Sequence, residues 1–259
     1  MIFHFYKYQG TGNDFIIADN RQKEYSSITN DQVRRLCDRR FGIGADGLML
    51  LNEKTGYDFE MKYFNSDGRV GSMCGNGGRC MIKFAYHLGI HKELYKFTAI
   101  DGEHEGEIDT DGIISLKIKD VDKVRKFHSD FIVDTGSPHY IKMVPDLMAV
   151  DVIKKGHEIR HSKEFNEEGI NVNFVEQSDE VDKISVRTYE RGVEDETYSS
   201  GSGATACALV VAKKFGLTSP IKLSAPGGKL EVEFETRQNG TFHNIFLTGP
   251  VQLVFETWM

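Results

Sequence analysis

The sequence predicts an α+β protein of two pseudo-symmetric domains, each a mostly antiparallel sheet wrapped around a central helix. Three observations carry that prediction. First, a glycine-rich passage occurs twice: residues 72–88 (SMCGNGGRCMIKFAYHL) and 198–214 (YSSGSGATACALVVAKK) match at an offset of 126. The same offset brings Tyr63 onto Tyr189, Thr98-Ala99 onto Ser224-Ala225 and Gly102 onto Gly228; with two residues of slack, Gly112 meets Gly240. A repeat near half of a 259-residue chain means two homologous domains, not a solenoid. Second, short runs of β-branched and aromatic residues, bounded by Gly, Asn and Asp, outnumber the helical stretches. Third, each copy of the glycine-rich passage opens one long apolar helix.

In the first half, strands are expected at Phe3–Tyr8, Phe15–Asp19, Leu48–Leu51, Phe59–Tyr63 and Ile113–Ile118. A helix over Asp31–Arg39 follows a Thr29/Asn30 cap signal. The second half continues with strands at Phe131–Asp134, Tyr140–Val144, Val172–Gln177 and Ile184–Tyr189, then at Ile221–Ser224, Leu230–Glu235, Phe242–Thr248 and Val251–Glu256. The two central helices are expected at Gly78–Leu88 and Ala204–Phe215, ending near Gly89 and Gly216 as helix C-termini often do. They are apolar on most faces, which suits a buried position. The domains are expected at 1–120 and 121–249, joined near the polar stretch Asp120–Ser129, with the C-terminal strand 250–259 available to pack back on the first.

Composition narrows the function. Hydrophobic residues make up 39% and charged residues 27%, the balance of a soluble globular protein. No apolar run approaches the roughly 18 residues a membrane helix needs. The start, MIFHFYKYQG, lacks the basic and apolar regions of a signal peptide, so a cytoplasmic location is expected. A net charge of −7 without a dense Lys/Arg block argues against nucleic acid. Cys37, Cys74, Cys80 and Cys207 form neither a disulfide scaffold nor a metal-ligand pattern, so no metal site is expected. Cys37, Cys80 and Cys207 read as small buried hydrophobes.

The glycine turns point to an anion. Gly201-Ser-Gly203-Ala-Thr-Ala206 fits a dinucleotide G-x-G-x-x-A, but the acidic residue expected about 20 positions on is missing and the first copy breaks the pattern. No G-x-x-x-x-G-K-[ST] phosphate loop is present. Carboxylate binding at a helix N-terminus remains, where unpaired N–H groups and the dipole favour negative charge. Such a site also acidifies a thiol at the turn, from about 8.5 toward roughly 3.5–7.5. Cys74 is therefore a base or nucleophile candidate, and the repeat puts Ser200 in the equivalent place.

The ordered blocks GTGNDF (10–15), GIGADG (42–47), YFNSDG (63–68), MCGNGGRC (73–80), GSPHY (136–140), NVNF (171–174), YERG (189–192), SGSGATA (200–206) and APGG (225–228) span nearly the whole chain. In them the sequence resembles the diaminopimelate epimerase family. That resemblance implies a cofactor-independent isomerase of lysine and peptidoglycan precursor synthesis, acting on diaminopimelate, with a two-domain fold of sheets around central helices. It implies two cysteines on opposite faces of the substrate α-carbon, one removing and one returning a proton, with the α-carboxylate at the two helix N-termini. Matched motif by motif, it assigns Cys74 and position 200 to catalysis, His139 and Glu190 to accessory roles near the reacting groups, and Arg191 to the distal carboxylate. Asn13, Asn65, Gly75, Asn76, Ser137, Asn171, Glu190, Gly201 and Ser202 join Arg191 in substrate binding. Beside glycine, Asn13, Asn65 and Asn76 also suit turns. A homodimer is compatible with the sequence, which does not fix the assembly.

Serine stands at 200 where the resemblance calls for the second cysteine. An alcohol supplies no resting base near pH 7, and loss of one positioned acid or base typically costs about 10²–10⁴-fold. Cys207 lies seven residues on, about two helical turns away, and does not replace it. The residues alone leave open an impaired epimerase, natural or engineered, a racemase or isomerase of another amino acid, and an inactive amino-acid-binding homologue.

Overall fold

The structure, a computed structural model, describes residues 4–178, 180, 182–238 and 240–258; Phe3 of the first expected strand lies outside them. The elements begin β1 (His4–Gly10), β2 (Asn13–Asp19), α1 (Asn30–Cys37), β3 (Gly47–Asn52), β4 (Phe59–Asn65), β5 (Val70–Gly71) and α2 (Gly75–His87). Next come β6 (Leu94–Ala99), β7 (Gly102–Ile108), β8 (Ile114–Ile118), β9 (Val124–Phe127), β10 (Asp130–Asp134), β11 (Pro138–Met143), α3 (Val152–Arg160) and β12 (Asn171–Gln177). The remainder are β13 (Lys183–Glu190), β14 (Asp195–Thr197), α4 (Gly201–Phe215), β15 (Ile221–Ala225), β16 (Gly228–Thr236), β17 (Phe242–Gly249) and β18 (Gln252–Trp258). They form two compact units: one holds the residues up to Leu116 and those from Gly249 on, the other Lys117–Thr248.

In the first unit β18, β1 and β2 are antiparallel, β2 runs parallel to β3, β3 and β4 are antiparallel, and β4 runs parallel to β6. The antiparallel β6, β7 and β8 complete it, with β5 clipped to β4. The second unit repeats this order. β9, β10 and β11 are antiparallel, β11 is parallel to β12, β12 is antiparallel to β13, and β13 is parallel to β15. β16 and β17 follow antiparallel, with β14 clipped to β13. Parallel neighbours need a crossover connection. α1 and α2 supply it in the first unit, α3 and α4 in the second.

The crossovers put a helix on each face of the sheet. α2 packs on β1, β2, β3, β4 and β7, while α1 buries Val33 and Cys37 against Phe5, Ile16, Leu48 and Phe64. In the second unit α4 packs on β9 to β13, β15 and β16, while α3 buries Val152 among Tyr140, Val172, Phe174 and Tyr189. Strands covered on both faces lose alternation, and β3 and β12 are indeed buried over five successive residues. α4 is buried from Gly203 through Ala212. Each of its Leu or Val side chains contributes about 1.5–3 kcal/mol by burial.

Three expectations shift. α2 and α4 start at Gly75 and Gly201, three residues before the expected starts, so the glycines are the first helical turn rather than a loop. A Cβ on Gly203 would stand 2.5 Å from Asn173 Oδ1, so glycine lets this turn press onto its sheet. α1 ends at Cys37, two residues early, where Asp38 adopts extended geometry. The polar Asp120–Ser129 stretch carries β9. α3, β5, β9, β14 and the β6–β7 hairpin are additional to the expected elements. In α3, Gly156 looks like a breaker, but a Cβ there would lie 2.4 Å from Tyr189 Cβ, so close packing requires it.

Candidate active site

The earlier helix starts make Cys74 and Ser200 the N-cap residues of α2 and α4, both in extended conformation. Cys74 Sγ accepts from the Gly77 N–H at 3.2 Å, and Ser200 Oγ from the Gly203 N–H at 3.3 Å. Each side chain therefore caps one of the unpaired donors of a helix start. Both side chains sit at the positive end of a helix dipole.

Around Cys74 the first unit gathers Asn13, Gly75 and Asn76. The Cys74 thiol lies 3.6 Å from Asn13 Oδ1, which also accepts from Asn76 Nδ2 at 3.4 Å. Asn13 is held in turn by Asp46, whose Oδ2 accepts from its Nδ2 at 2.5 Å. Asp46 belongs to a charged cluster. Arg39 reaches Asp14 and Asp46, each at 2.7 Å, and Lys7 reaches Asp14 at 2.6 Å. Burial pushes the Asp14 carboxyl up, but Arg39 and Lys7 outweigh it and hold it at about 2. Burial and the neighbouring Asp14 charge raise Asp46. Asn65 ends β4 in an exposed turn, where its N–H bonds Arg69 O and its C=O accepts from Gly68. Among the described residues no hydrogen bond joins its side chain to the Cys74 group.

Arg79, absent from the expected site, is a fully buried guanidinium inside α2. It donates to Asn76 Oδ1 at 3.0 Å, to Thr11 Oγ1 at 3.2 Å and to Gly75 O at 3.5 Å. Burial pushes it down to about 10, which leaves it cationic at neutral pH.

In the second unit His139 and Ser202 meet below the start of α4, with His139 Nε2 and Ser202 Oγ 3.0 Å apart. The ring is fully buried, and burial pushes its pKa down to about 3. Thr135 Oγ1 donates to Ser202 O at 2.9 Å and Thr205 Oγ1 to Gly201 O at 3.0 Å, steadying the first turn. A second group joins Ser137, Asn171 and Arg191. Asn171 Nδ2 donates to Ser137 Oγ at 2.9 Å, and its Oδ1 accepts the Arg191 N–H at 2.9 Å. The Arg191 guanidinium donates to Glu168 O at 2.8 Å and to Ser137 Oγ at 3.4 Å. Glu190 accepts from Thr197 Oγ1 at 3.1 Å.

The other cysteines pack away from this chemistry. Cys37, Cys80 and Cys207 are buried, and burial raises all three thiols, Cys37 to about 12. Among the described residues no three His, Cys, Asp or Glu side chains are grouped to hold a metal ion, and no helix is long and apolar enough to cross a membrane. A cavity of about 210 Å³ opens beside α1, lined by Phe5, Tyr25, Ile28, Leu36 and Phe41, and contains none of the candidate residues.

Two helices, each opened by an N-cap able to carry a proton and each wrapped by a mixed sheet of the same order, define an epimerase-type fold. A Bacillus anthracis phenazine biosynthesis protein of the PhzF family shares it with a TM-score of 0.78 at 16% identity, over 100% of this chain and 99% of that one. A hydroxyproline epimerase from Agrobacterium vitis does so with a TM-score of 0.69 at 12% identity, over 100% and 92%. In sequence, the diaminopimelate epimerase of Flavobacterium psychrophilum is 49% identical over 254 residues, covering 97% of this chain and 98% of its own. The family profile for diaminopimelate epimerase matches residues 5–124 and 131–254. The chain belongs to the diaminopimelate epimerase family.

Proposed function

We propose that this protein is an amino-acid epimerase interconverting LL- and meso-2,6-diaminopimelate by proton transfer at the α-carbon, without a cofactor. The observation that carries the reading is Cys74 at the N-cap of α2, beside Asn13 and Asn76, in a chain of this family. In this reading Cys74, as thiolate, takes the α-proton. A carboxylate held at a helix start, and the charge that develops on it, meets preorganised N–H donors of the kind found in an oxyanion hole. Arg191, oriented with Ser137 and Asn171, binds the distal carboxylate through its planar fork. His139 and Glu190 support the reacting groups. Cytoplasmic location fits an enzyme of precursor synthesis.

The return proton falls to position 200, where an alcohol replaces a thiol. Ser200 is as well placed for capping as Cys74 but is a far weaker acid, so this form epimerises slowly. Replacement Ser200→Cys is expected to raise interconversion by about 10²–10⁴-fold. The assay follows both isomers and α-deuterium uptake in heavy water. No rise on Ser200→Cys, or tight binding with no exchange from either isomer, overturns the epimerase reading.

A further inference from the structure

Below the first turn of α4, three adjacent strands contribute a row of buried polar side chains: His139 from β11, Asn173 from β12 and Thr188 from β13. All three are at most 4% exposed, so their hydrogen bonds are made within the protein. Asn173 and Thr188 are directly paired across the antiparallel ladder.

The orientation of the Asn173 amide follows from one group that can only accept. The Tyr140 backbone carbonyl lies 3.2 Å from Nδ2; inverting the amide would set its oxygen against that carbonyl. With Nδ2 so placed, one of its hydrogens goes to Tyr140 O and the other faces His139 Nδ1 at 3.2 Å. On the opposite side Oδ1 accepts from Thr188 Oγ1 at 2.9 Å. His139 Nδ1 is thus required to accept. A neutral imidazole carries one N–H, so the hydrogen resides on Nε2 and is donated to Ser202 Oγ at 3.0 Å.

The consequence reaches the helix start. Ser202 Oγ receives a hydrogen bond from beneath, and among the described residues its own hydrogen has no acceptor. We propose that Asn173 is a positioning residue for the reaction: by fixing the His139 tautomer it keeps the Ser202 hydroxyl as a donor to the carboxylate bound at the start of α4. The proposal rests on the substrate reading above. Asn76, the residue equivalent to Ser202 in the repeat, has its Oδ1 occupied by the Arg79 guanidinium and by Thr11 Oγ1, which directs its amide hydrogens away from them.

The test uses the full chain labelled with ¹⁵N-histidine, with the His139 signals assigned by their loss in His139→Gln. Wild type should show an acceptor-type Nδ1 and a protonated Nε2; a protonated Nδ1 overturns the proposal whatever the substrate. Asn173→Leu keeps much of the side-chain volume but removes the donor that holds Nδ1 as an acceptor, so the ring hydrogen should no longer be confined to Nε2 and the Ser202 hydroxyl should turn toward the ring. Loss of one hydrogen bond to a charged group should raise KM for diaminopimelate about 10- to 100-fold. Because the contact exists in both ground and transition states, kcat should change little. Ser202→Ala should raise KM similarly without moving the ring hydrogen, and the double variant should be no worse than either single one. Additive effects on KM would show that Asn173 does not act through Ser202. A confirmed wild-type tautomer with no activity on diaminopimelate would sink the substrate reading and spare the tautomer.

Discussion

His139 offers a stability measurement that tests the site without substrate. Its ring is 0% exposed, and burial pushes its pKa to about 3, whereas an unfolded histidine titrates near 6.5. Because the folded value lies below the unfolded one, only the unfolded chain takes up a proton between those limits. The contribution of the neutral ring is intact above pH 6.5 and is lost as pH falls below it. From pH 7 to pH 5 this residue alone should cost about 2 kcal/mol of stability. Replacing it by glutamine keeps an N–H donor for Ser202 and removes the titration. Urea unfolding of wild type and His139→Gln at pH 7, 6 and 5 should therefore show wild type losing about 2 kcal/mol more than the variant over that range. Parallel losses would mean that the native ring is already charged or hydrated, and the tautomer argument for Ser202 would fall with it.

Cys74→Ala should abolish α-proton exchange from both diaminopimelate isomers in heavy water while leaving binding by calorimetry within about tenfold, since the thiol serves the chemistry more than affinity. Arg191→Lys loses the planar fork and is expected to raise KM roughly tenfold or more; an unchanged KM would remove Arg191 from the distal carboxylate. Gly156→Ala should destabilise the protein by about 1–3 kcal/mol in a thermal melt, because the new Cβ would lie 2.4 Å from Tyr189 Cβ. A stabilising effect, as helix propensity alone predicts, would refute the close-packing account of that glycine.

The duplication made much of the architecture legible. The register that matched Cys74 with Ser200 also matches two N-caps, and Gly102 and Gly228 begin equivalent strands with φ of +124° and +142°. The same register could have found α3, because α1 occupies the corresponding crossover between β2 and β3. Its local helical signal is weak because VIKKGHEIR has a mid-helix glycine and buries only Val152 and Gly156. The β6–β7 hairpin is obscured for a related reason: LYKFTA and GEHEGEI mix charge into their runs, so composition hides their pairing.

The candidate site divides in the same way. Residues in glycine-flanked blocks, such as Asn13, Asn76, Ser202 and Arg191, announced themselves locally. Arg79, Asp46, Asn173 and Thr188 did not, because their significance lies in what stands opposite them in another strand or helix. Sequence alone determined two halves, a helix start in each, and a thiol at position 74 matched by an alcohol at position 200. These depend on residue identity and short-range spacing, which the chain carries directly. Tertiary structure decided which hydrogen-bonding atoms face each N-cap, that Arg79 is buried and that the His139 ring is kept neutral. Those outcomes depend on desolvation and on partners distant in sequence, and neither exists until the sheets close around their helices.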